Sequence, residues 1–71
     1  MYKYTIYIQW SETDNCYIAS VPELPGCMAD GKTQEDVLKN IQVIISEWLD
    51  TAKELGRTIP APQTYTKYSP N

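Results

Sequence analysis

Histidine and phenylalanine are absent from this 71-residue sequence, and glycine occurs only three times. Without histidine, the Ser–His and Cys–His pairs of nucleophilic enzymes are excluded, together with the most common general base. The glycines are scattered at Gly26, Gly31 and Gly56, so the sequence contains no glycine-rich phosphate loop. We therefore expect a non-catalytic protein without a bound cofactor.

Cysteine is also rare, and the two present are Cys16 and Cys27. Their separation differs from the CxxC spacing of zinc sites, and the chain offers no histidine to complete a ligand set. We expect both to be small thiols, buried or half-buried in a reduced protein.

Long apolar runs and an excess of positive charge are missing as well. No segment approaches the ~20 apolar residues that span a bilayer, and the first residues lack the apolar core of a signal peptide. Six basic and nine acidic residues leave a net charge of −3. Direct nucleic-acid binding is not expected, because it needs a basic surface, whereas a basic protein partner is favoured. We predict a cytoplasmic protein without membrane contact.

Alternating apolar residues at the amino-terminal end indicate two strands. Residues 2–10 place aromatic and β-branched side chains at every second position, which predicts a strand with one buried face. After a polar run, residues 16–21 form a second apolar segment of strand length. Both of its alternating sets contain apolar residues, so its inward face stays open. Two such segments predict an antiparallel hairpin.

Turn residues and a short third strand follow the hairpin. Pro25 and Gly26 fit the second and third positions of a type II turn, where glycine supplies the positive φ. Residues 27–29 predict a short strand that ends in a turn at residues 30–32, and Gly31 is also expected at positive φ.

Residues 33–55 carry the clearest pattern, because apolar side chains recur there at three- and four-residue steps. This period predicts an amphipathic helix. Thr33 is placed to act as its N-cap and Gly56 as its C-terminal glycine. Beyond the helix, residues 63–68 alternate weakly and fit either a short strand or a loose end.

The element order predicts an α+β fold with a small antiparallel sheet of three to four strands and one long helix. We expect one domain over residues 1–62, with residues 63–71 as a C-terminal tail or short strand. One helix covers one face of such a sheet, so the other face is left to solvent or to a partner. We therefore predict a homo-oligomer, most simply a two-fold dimer.

Two groups of side chains allow either a functional or a structural interpretation. Asp14, Glu23 and Asp30 fall in predicted turns, where they would bind a divalent metal or act as turn formers. The turn role is favoured because the first strand carries no carboxylate. The aromatic residues would stack nucleobases or pack in the core and interfaces, and packing is favoured because basic flanks are missing. These residues are Tyr2, Tyr4, Trp10, Tyr17 and Trp48.

Several segments of the sequence match a known family. YIASVPELPGC at residues 17–27 resembles the "Y-v-a-x-v-P-d-L-P-G-c" core of HicB-like antitoxins. ADGKTQEDV at residues 29–37 resembles the "a-x-G-x-T-x-e-e-A" entry into that family's helix, with Val37 in place of the usual alanine. EWL at 47–49 and IPAP at 59–62 resemble its helix end and exit. The motif residues are Pro22, Leu24, Pro25, Gly26, Cys27, Gly31 and Thr33.

This resemblance implies a partial ribonuclease-H-like fold, β-β-β-α-β, without nuclease carboxylates. It also implies the antitoxin of a HicA–HicB pair, which covers the active site of a small, basic ribonuclease toxin that carries a catalytic histidine. Many family members add a C-terminal helix-turn-helix or ribbon-helix-helix domain that represses their own operon. The present sequence ends at Asn71 without one, so operator binding is not expected.

Three functions are compatible with these observations. The first is toxin neutralisation, and the second is a stand-alone oligomeric regulatory or structural domain without a toxin. The third is a metal-dependent nuclease that uses the turn carboxylates. A neighbouring gene for a small basic protein with a histidine favours the first and an orphan gene favours the second. The third requires Mg²⁺-dependent RNA cleavage.

Two surfaces are candidates for partner binding. Tyr7 is the one large aromatic residue on the otherwise polar face of the first strand. It is expected either to anchor a partner on the open sheet face or to pack in the homo-oligomer interface. Alternatively, a basic toxin would meet the acidic residues that lie off the apolar stripe of the helix. These are Glu35, Glu47, Asp50 and Glu54.

Overall fold

The structure is a computed structural model that describes residues 2–65. Its elements, in chain order, are β1 (Tyr7–Ser11), β2 (Cys16–Ser20), β3 (Met28–Gly31) and α1 (Gln34–Glu54). The strands form one antiparallel sheet in the order β1-β2-β3, and α1 packs against one face of it. The predicted α+β architecture is confirmed, with a three-stranded sheet over the described residues.

β1 begins at Tyr7, later than the alternating pattern predicts. Residues 2–6 lie outside the strand because the backbone N–H of Thr5 donates to the carboxylate of Glu23, at 3.0 and 3.2 Å, instead of to a strand. The alternation predicts burial correctly in the middle of this segment but not at its ends, because Tyr2 and Trp10 are 40% and 45% exposed. The side chains of this region that pack against the core are Tyr4, Ile6 and Ile8.

β1 and β2 form the predicted hairpin, in a register that pairs Ile8 with Ala19. The loop at residues 12–15 ends in Asn15, whose φ of 56° lies in the left-handed region that asparagine tolerates better than most residues. The register also settles the inward face of β2. Ala19 is fully buried toward α1, so Ile18 points to the opposite face of the sheet.

The segment between β2 and β3 contains the predicted type II turn. Cys27 donates its backbone N–H to the Leu24 carbonyl at 3.0 Å, and Gly26 has a φ of 80°. Leu24 and Cys27 are both buried, so the turn contributes directly to the core. Both cysteines are free thiols, with Cys16 half-buried. Burial raises the pKa of the Cys27 thiol, which keeps it protonated and unreactive.

β3 extends through Gly31, so the predicted turn at residues 30–32 is wrong, and so is the expected positive φ at Gly31. This glycine is needed for a different reason. A Cβ atom at this position would lie 2.6 Å from the backbone nitrogen of Val37 and 2.8 Å from its Cα. The strand therefore approaches the first turn of α1 too closely to carry a side chain.

α1 is the predicted helix, with caps at the expected residues. The Thr33 side chain accepts a hydrogen bond from the Asp36 backbone N–H at 3.0 Å. Glu35 and Asp36 place acidic groups in the first turn, where they complement the helix dipole. At the other end Gly56 adopts a φ of 67° and closes a Schellman motif with the carbonyls of the last turn.

The core lies between α1 and the inner face of the sheet. Its fully buried side chains include Ala19, Leu24, Val37, Ile41 and Ile45. Tyr4, Tyr17 and Trp48 pack against this cluster, as expected for aromatic residues with a packing role. Trp10 contacts Tyr17 edge-on, with the ring centroids 5.0 Å apart. Within residues 2–65, no helix combines the length and apolar character needed to cross a membrane.

Candidate partner-binding surfaces

On the sheet face opposite α1, two rows of side chains cross all three strands. Tyr7 pairs with Ser20, which in turn pairs with Met28. Directly opposite residues of antiparallel strands share a face, and the adjacent Ala19 points into the core, so this row points away from α1. The second row consists of Gln9, Ile18 and Asp30.

This open face has apolar side chains on all three strands, interspersed with polar ones. Tyr7 and Met28 end the first row, with 57% and 56% of their surfaces exposed. Ile18 lies beside them in the second row. Apolar anchors surrounded by polar groups are typical of protein interfaces. Tyr7 thus lies on the face where the sequence predicted it, whereas Met28 was missed because its face depends on the strand register.

The acidic residues predicted for partner binding lie on another surface. All are exposed on α1, and they are Glu35, Glu47, Asp50 and Glu54. The buried side of the helix, with Val37 and Ile41, faces the sheet. At 3.6 residues per turn, the acidic residues point away from that side. The structure therefore does not bring Tyr7 and the helix acids together. They belong to opposite sides of the molecule.

Glu23, one of the three carboxylates predicted to lie in turns, is buried, with 8% of its surface exposed. Its carboxylate accepts hydrogen bonds from the backbone N–H and hydroxyl of Thr5 and from the backbone N–H of Gln63, at 2.8 to 3.2 Å. It thereby joins the amino-terminal segment, the β2–β3 connection and the segment after α1. We call Glu23, Thr5 and Gln63 the Glu23 clamp.

The clamp keeps its carboxylate charged. Burial by itself raises the pKa of Glu23, but hydrogen bonds from Gln63, Thr5 and its own backbone N–H outweigh this and hold the pKa below its usual value. Nearby, the Tyr4 hydroxyl donates to the Pro60 carbonyl at 2.6 Å. The amino-terminal segment and the segment after α1 are therefore held together by side-chain hydrogen bonds.

The predicted fourth strand falls partly within this region. Residues 63–65 are not in a strand, and the backbone N–H of Gln63 donates to the Glu23 carboxylate instead. Residues 66–68 of that prediction lie outside the described residues.

The other two turn carboxylates lie elsewhere. Asp14 and Asp30 line a groove of about 430 Å³ at the hairpin end of the molecule, together with Asp36, Lys32 and Lys39. Glu23 is not among its lining residues. Over residues 2–65, no three His, Cys, Asp or Glu side chains are arranged to hold a metal ion. The structure thus separates the three carboxylates that the nuclease hypothesis needs together.

Comparison with known proteins assigns the chain to a family. Residues 4–71 match the sequence profile described as "HicB_like antitoxin of bacterial toxin-antitoxin system". The UPF0150 protein Ta0767 of Thermoplasma acidophilum is 40% identical over 58 residues, which cover 82% of this chain and 83% of that protein. The UPF0150 protein ssl0259 of Synechocystis sp. is 33% identical over 45 residues, which cover 63% and 62%. No solved structure matches. The chain belongs to the HicB-like antitoxin family.

Proposed function

We propose that this protein neutralises a small, basic, HicA-like ribonuclease toxin by binding it and covering its active site. The family match over residues 4–71 is the observation that carries the proposal. The protein acts in the cytoplasm by binding alone, without a cofactor or catalysis. The partial ribonuclease-H-like order β-β-β-α-β, with a fourth strand after α1, is part of this proposal.

The open sheet face is the docking surface we propose for the toxin. Tyr7 and Met28 offer exposed apolar area there, and Ile18 lies between polar neighbours in the adjacent row. Large aromatic side chains carry a disproportionate share of the affinity of protein interfaces. Tyr7 is the anchor of this surface.

The acidic residues of α1 have a different role in this proposal. Because they lie on the opposite side from Tyr7, they act through the net charge of −3 and not by direct contact with the docked toxin. Such a field raises the rate at which a basic partner arrives, and salt screens it. Charge reversal on the helix should therefore change the association rate more than the dissociation rate.

The proposal is tested by binding measurements with the product of the neighbouring gene. Tyr7→Ala should weaken binding by about tenfold to a hundredfold, since truncating an interface anchor costs about 1.4–3 kcal/mol. Leu55→Ala is the matched control, because Leu55 is 60% exposed at the helix end, away from the sheet face. Calorimetry on both variants, with a toxin inactivated at its catalytic histidine, gives the comparison.

Two results would contradict the proposal at different levels. Unchanged affinity on Tyr7→Ala, with the wild-type pair binding tightly, would show that the toxin docks on another face. An orphan gene, or a neighbouring product that does not bind at all, would favour the alternative function. That alternative is a stand-alone oligomeric regulatory or structural domain, and it is supported by β3, which is an edge strand of the sheet within residues 2–65.

A further inference from the structure

The Glu23 clamp lies where the ladder of main-chain hydrogen bonds between β1 and β2 ends. The Val21 N–H donates to the Cys27 carbonyl at 3.1 Å, on the β3 side. Because the backbone groups of successive residues in a strand point alternately to its two neighbours, those of Ser20 point to β1. Ser20 is the partner of Tyr7, the first residue of β1. These two residues therefore form the terminal hydrogen-bonded pair of the ladder.

Pro22 prevents the ladder from continuing beyond this pair. In the register of the hairpin, Thr5 stands opposite Pro22, where the next pair would exchange two hydrogen bonds. Proline has no N–H to give to such a pair. The Thr5 N–H donates instead to both carboxylate oxygens of Glu23, at 3.0 and 3.2 Å, and the Thr5 hydroxyl donates to one of them at 3.0 Å. A side-chain carboxylate thus takes the place of a main-chain acceptor.

The segment after α1 fixes this carboxylate from another direction. The backbone N–H of Gln63 donates at 2.8 Å to the Glu23 oxygen that also accepts the Thr5 hydroxyl. With 8% of its surface exposed, Glu23 is itself too deeply buried to contact a docked protein. Any effect of Glu23 on partner binding must therefore pass through the backbone that it holds.

We propose that Glu23 is a positioning residue for the toxin anchor, because its carboxylate holds the backbone that enters β1 and thereby fixes Tyr7 on the open sheet face. This inference rests on the proposed docking of the toxin on that face. The end of a strand opens more easily than its middle, and Tyr7 belongs to the terminal pair. With Thr5 held two residues before it, Tyr7 is already ordered when the toxin arrives, so binding does not have to order it.

Other contacts hold the same segment by its side chains. The Tyr4 hydroxyl donates to the Pro60 carbonyl at 2.6 Å, and the side chains of Tyr4 and Ile6 pack against the core. These contacts keep the segment attached when the clamp is weakened, so a conservative variant of Glu23 should stay folded. Only the clamp bonds the backbone N–H of Thr5. Weakening it should therefore loosen the start of β1 without unfolding the sheet.

Amide hydrogen exchange of the full chain, followed by NMR, tests the positioning without a partner. Glu23→Gln keeps the size of the side chain but leaves one oxygen for donors that now share two. Ile41→Val is the matched control, because it loosens the buried core away from the clamp. We expect the Tyr7 amide to exchange about tenfold faster in Glu23→Gln than in the control. The Gln9 amide, in the next pair of the ladder, should exchange at similar rates in both.

Toxin affinity tests the functional step. Glu23→Gln should raise the dissociation constant for the neighbouring gene product by about threefold to tenfold, which corresponds to the cost of ordering one side chain at an interface. Ile41→Val should leave this constant unchanged. In the Tyr7→Ala background the effect of Glu23→Gln should disappear, because no anchor is left to position. Circular dichroism checks the fold of each variant.

The outcomes separate this inference from the proposed function. If the wild type binds the toxin and Glu23→Gln binds it as tightly, the inference is overturned. An equal loss of affinity in the Tyr7→Ala background would also overturn it, since the clamp would then act through another part of the surface. A wild-type chain that binds no toxin contradicts the proposed function itself. The exchange experiment still decides the positioning in that case, and equal exchange of the Tyr7 amide in Glu23→Gln and Ile41→Val would overturn it.

Discussion

Two regions of this small domain bury a polar side chain, but only one of them supplies it with hydrogen-bond partners. In the Glu23 clamp, donors from Thr5 and Gln63 surround the carboxylate. On α1, the amide nitrogen and oxygen of Gln42 are buried with no hydrogen-bond partner among the described residues. Burial of a polar group stabilises a fold only where the protein supplies its partners. The two sites should therefore respond to one substitution with opposite signs.

The larger effect is expected at the clamp. Glu23→Leu leaves the N–H groups of Thr5 and Gln63 without their acceptor, and unmet hydrogen bonds of this kind cost about 2 kcal/mol or more in total. Urea unfolding at neutral pH measures the loss. Thr5→Val, combined with Glu23→Leu, is the control. Without the carboxylate the Thr5 hydroxyl loses its bond of 3.0 Å and keeps only a bond of 3.5 Å to the Gln63 carbonyl, so Thr5→Val should cost less in Glu23→Leu than in the wild type. An unchanged unfolding free energy in Glu23→Leu would contradict the clamp.

The clamp should also make stability depend on pH. The pKa of Glu23 lies below its ordinary value of 4.5 in the folded chain. A lowered folded-state pKa means that the contribution is fully present above the unfolded-state value and is lost as pH falls through the folded-state value. The stability difference between wild type and Glu23→Gln should therefore shrink in acid below about pH 4. A difference that stays constant down to pH 2 would show that the charge has no part in it.

The parts of the fold that the sequence predicted are those with local signals. The helix ends were predictable because an N-cap and a C-terminal glycine act within a few residues, at Thr33 and Gly56. The type II turn around Gly26 is equally local. Its geometry depends only on φ preferences that each residue carries wherever it stands.

The features that the sequence missed depend on contacts between distant segments. Glu23 bonds Thr5 and Gln63 across 18 and 40 residues, and nothing in the local pattern distinguishes it from a surface turn acid. β1 starts late for the same reason. Gly31 is needed because β3 meets Val37, a contact that only the packed fold creates.

The residues of the candidate surface also differ in whether local sequence predicts them. Tyr7 was predictable because strand alternation alone assigns its face. Met28 was not, because its face depends on the register of β3. A strand of four residues carries too short a pattern to fix that register.

The smallest effect, with the opposite sign, is expected at Gln42. Leu38 and Ile45 lie one turn before and one turn after Gln42 on α1. Ile45 belongs to the core and Leu38 packs against it, so the Gln42 amide lies among apolar neighbours. Gln42→Leu replaces a buried group that lacks a partner by one of similar volume, and should raise the unfolding free energy by about 1 kcal/mol. Thermal and urea unfolding beside Glu23→Leu give the comparison directly. Gln42→Glu is the control and should destabilise, because it adds a charge at the same site. A loss of stability in Gln42→Leu would show that the amide is hydrogen-bonded after all, and the contrast with Glu23 would fail.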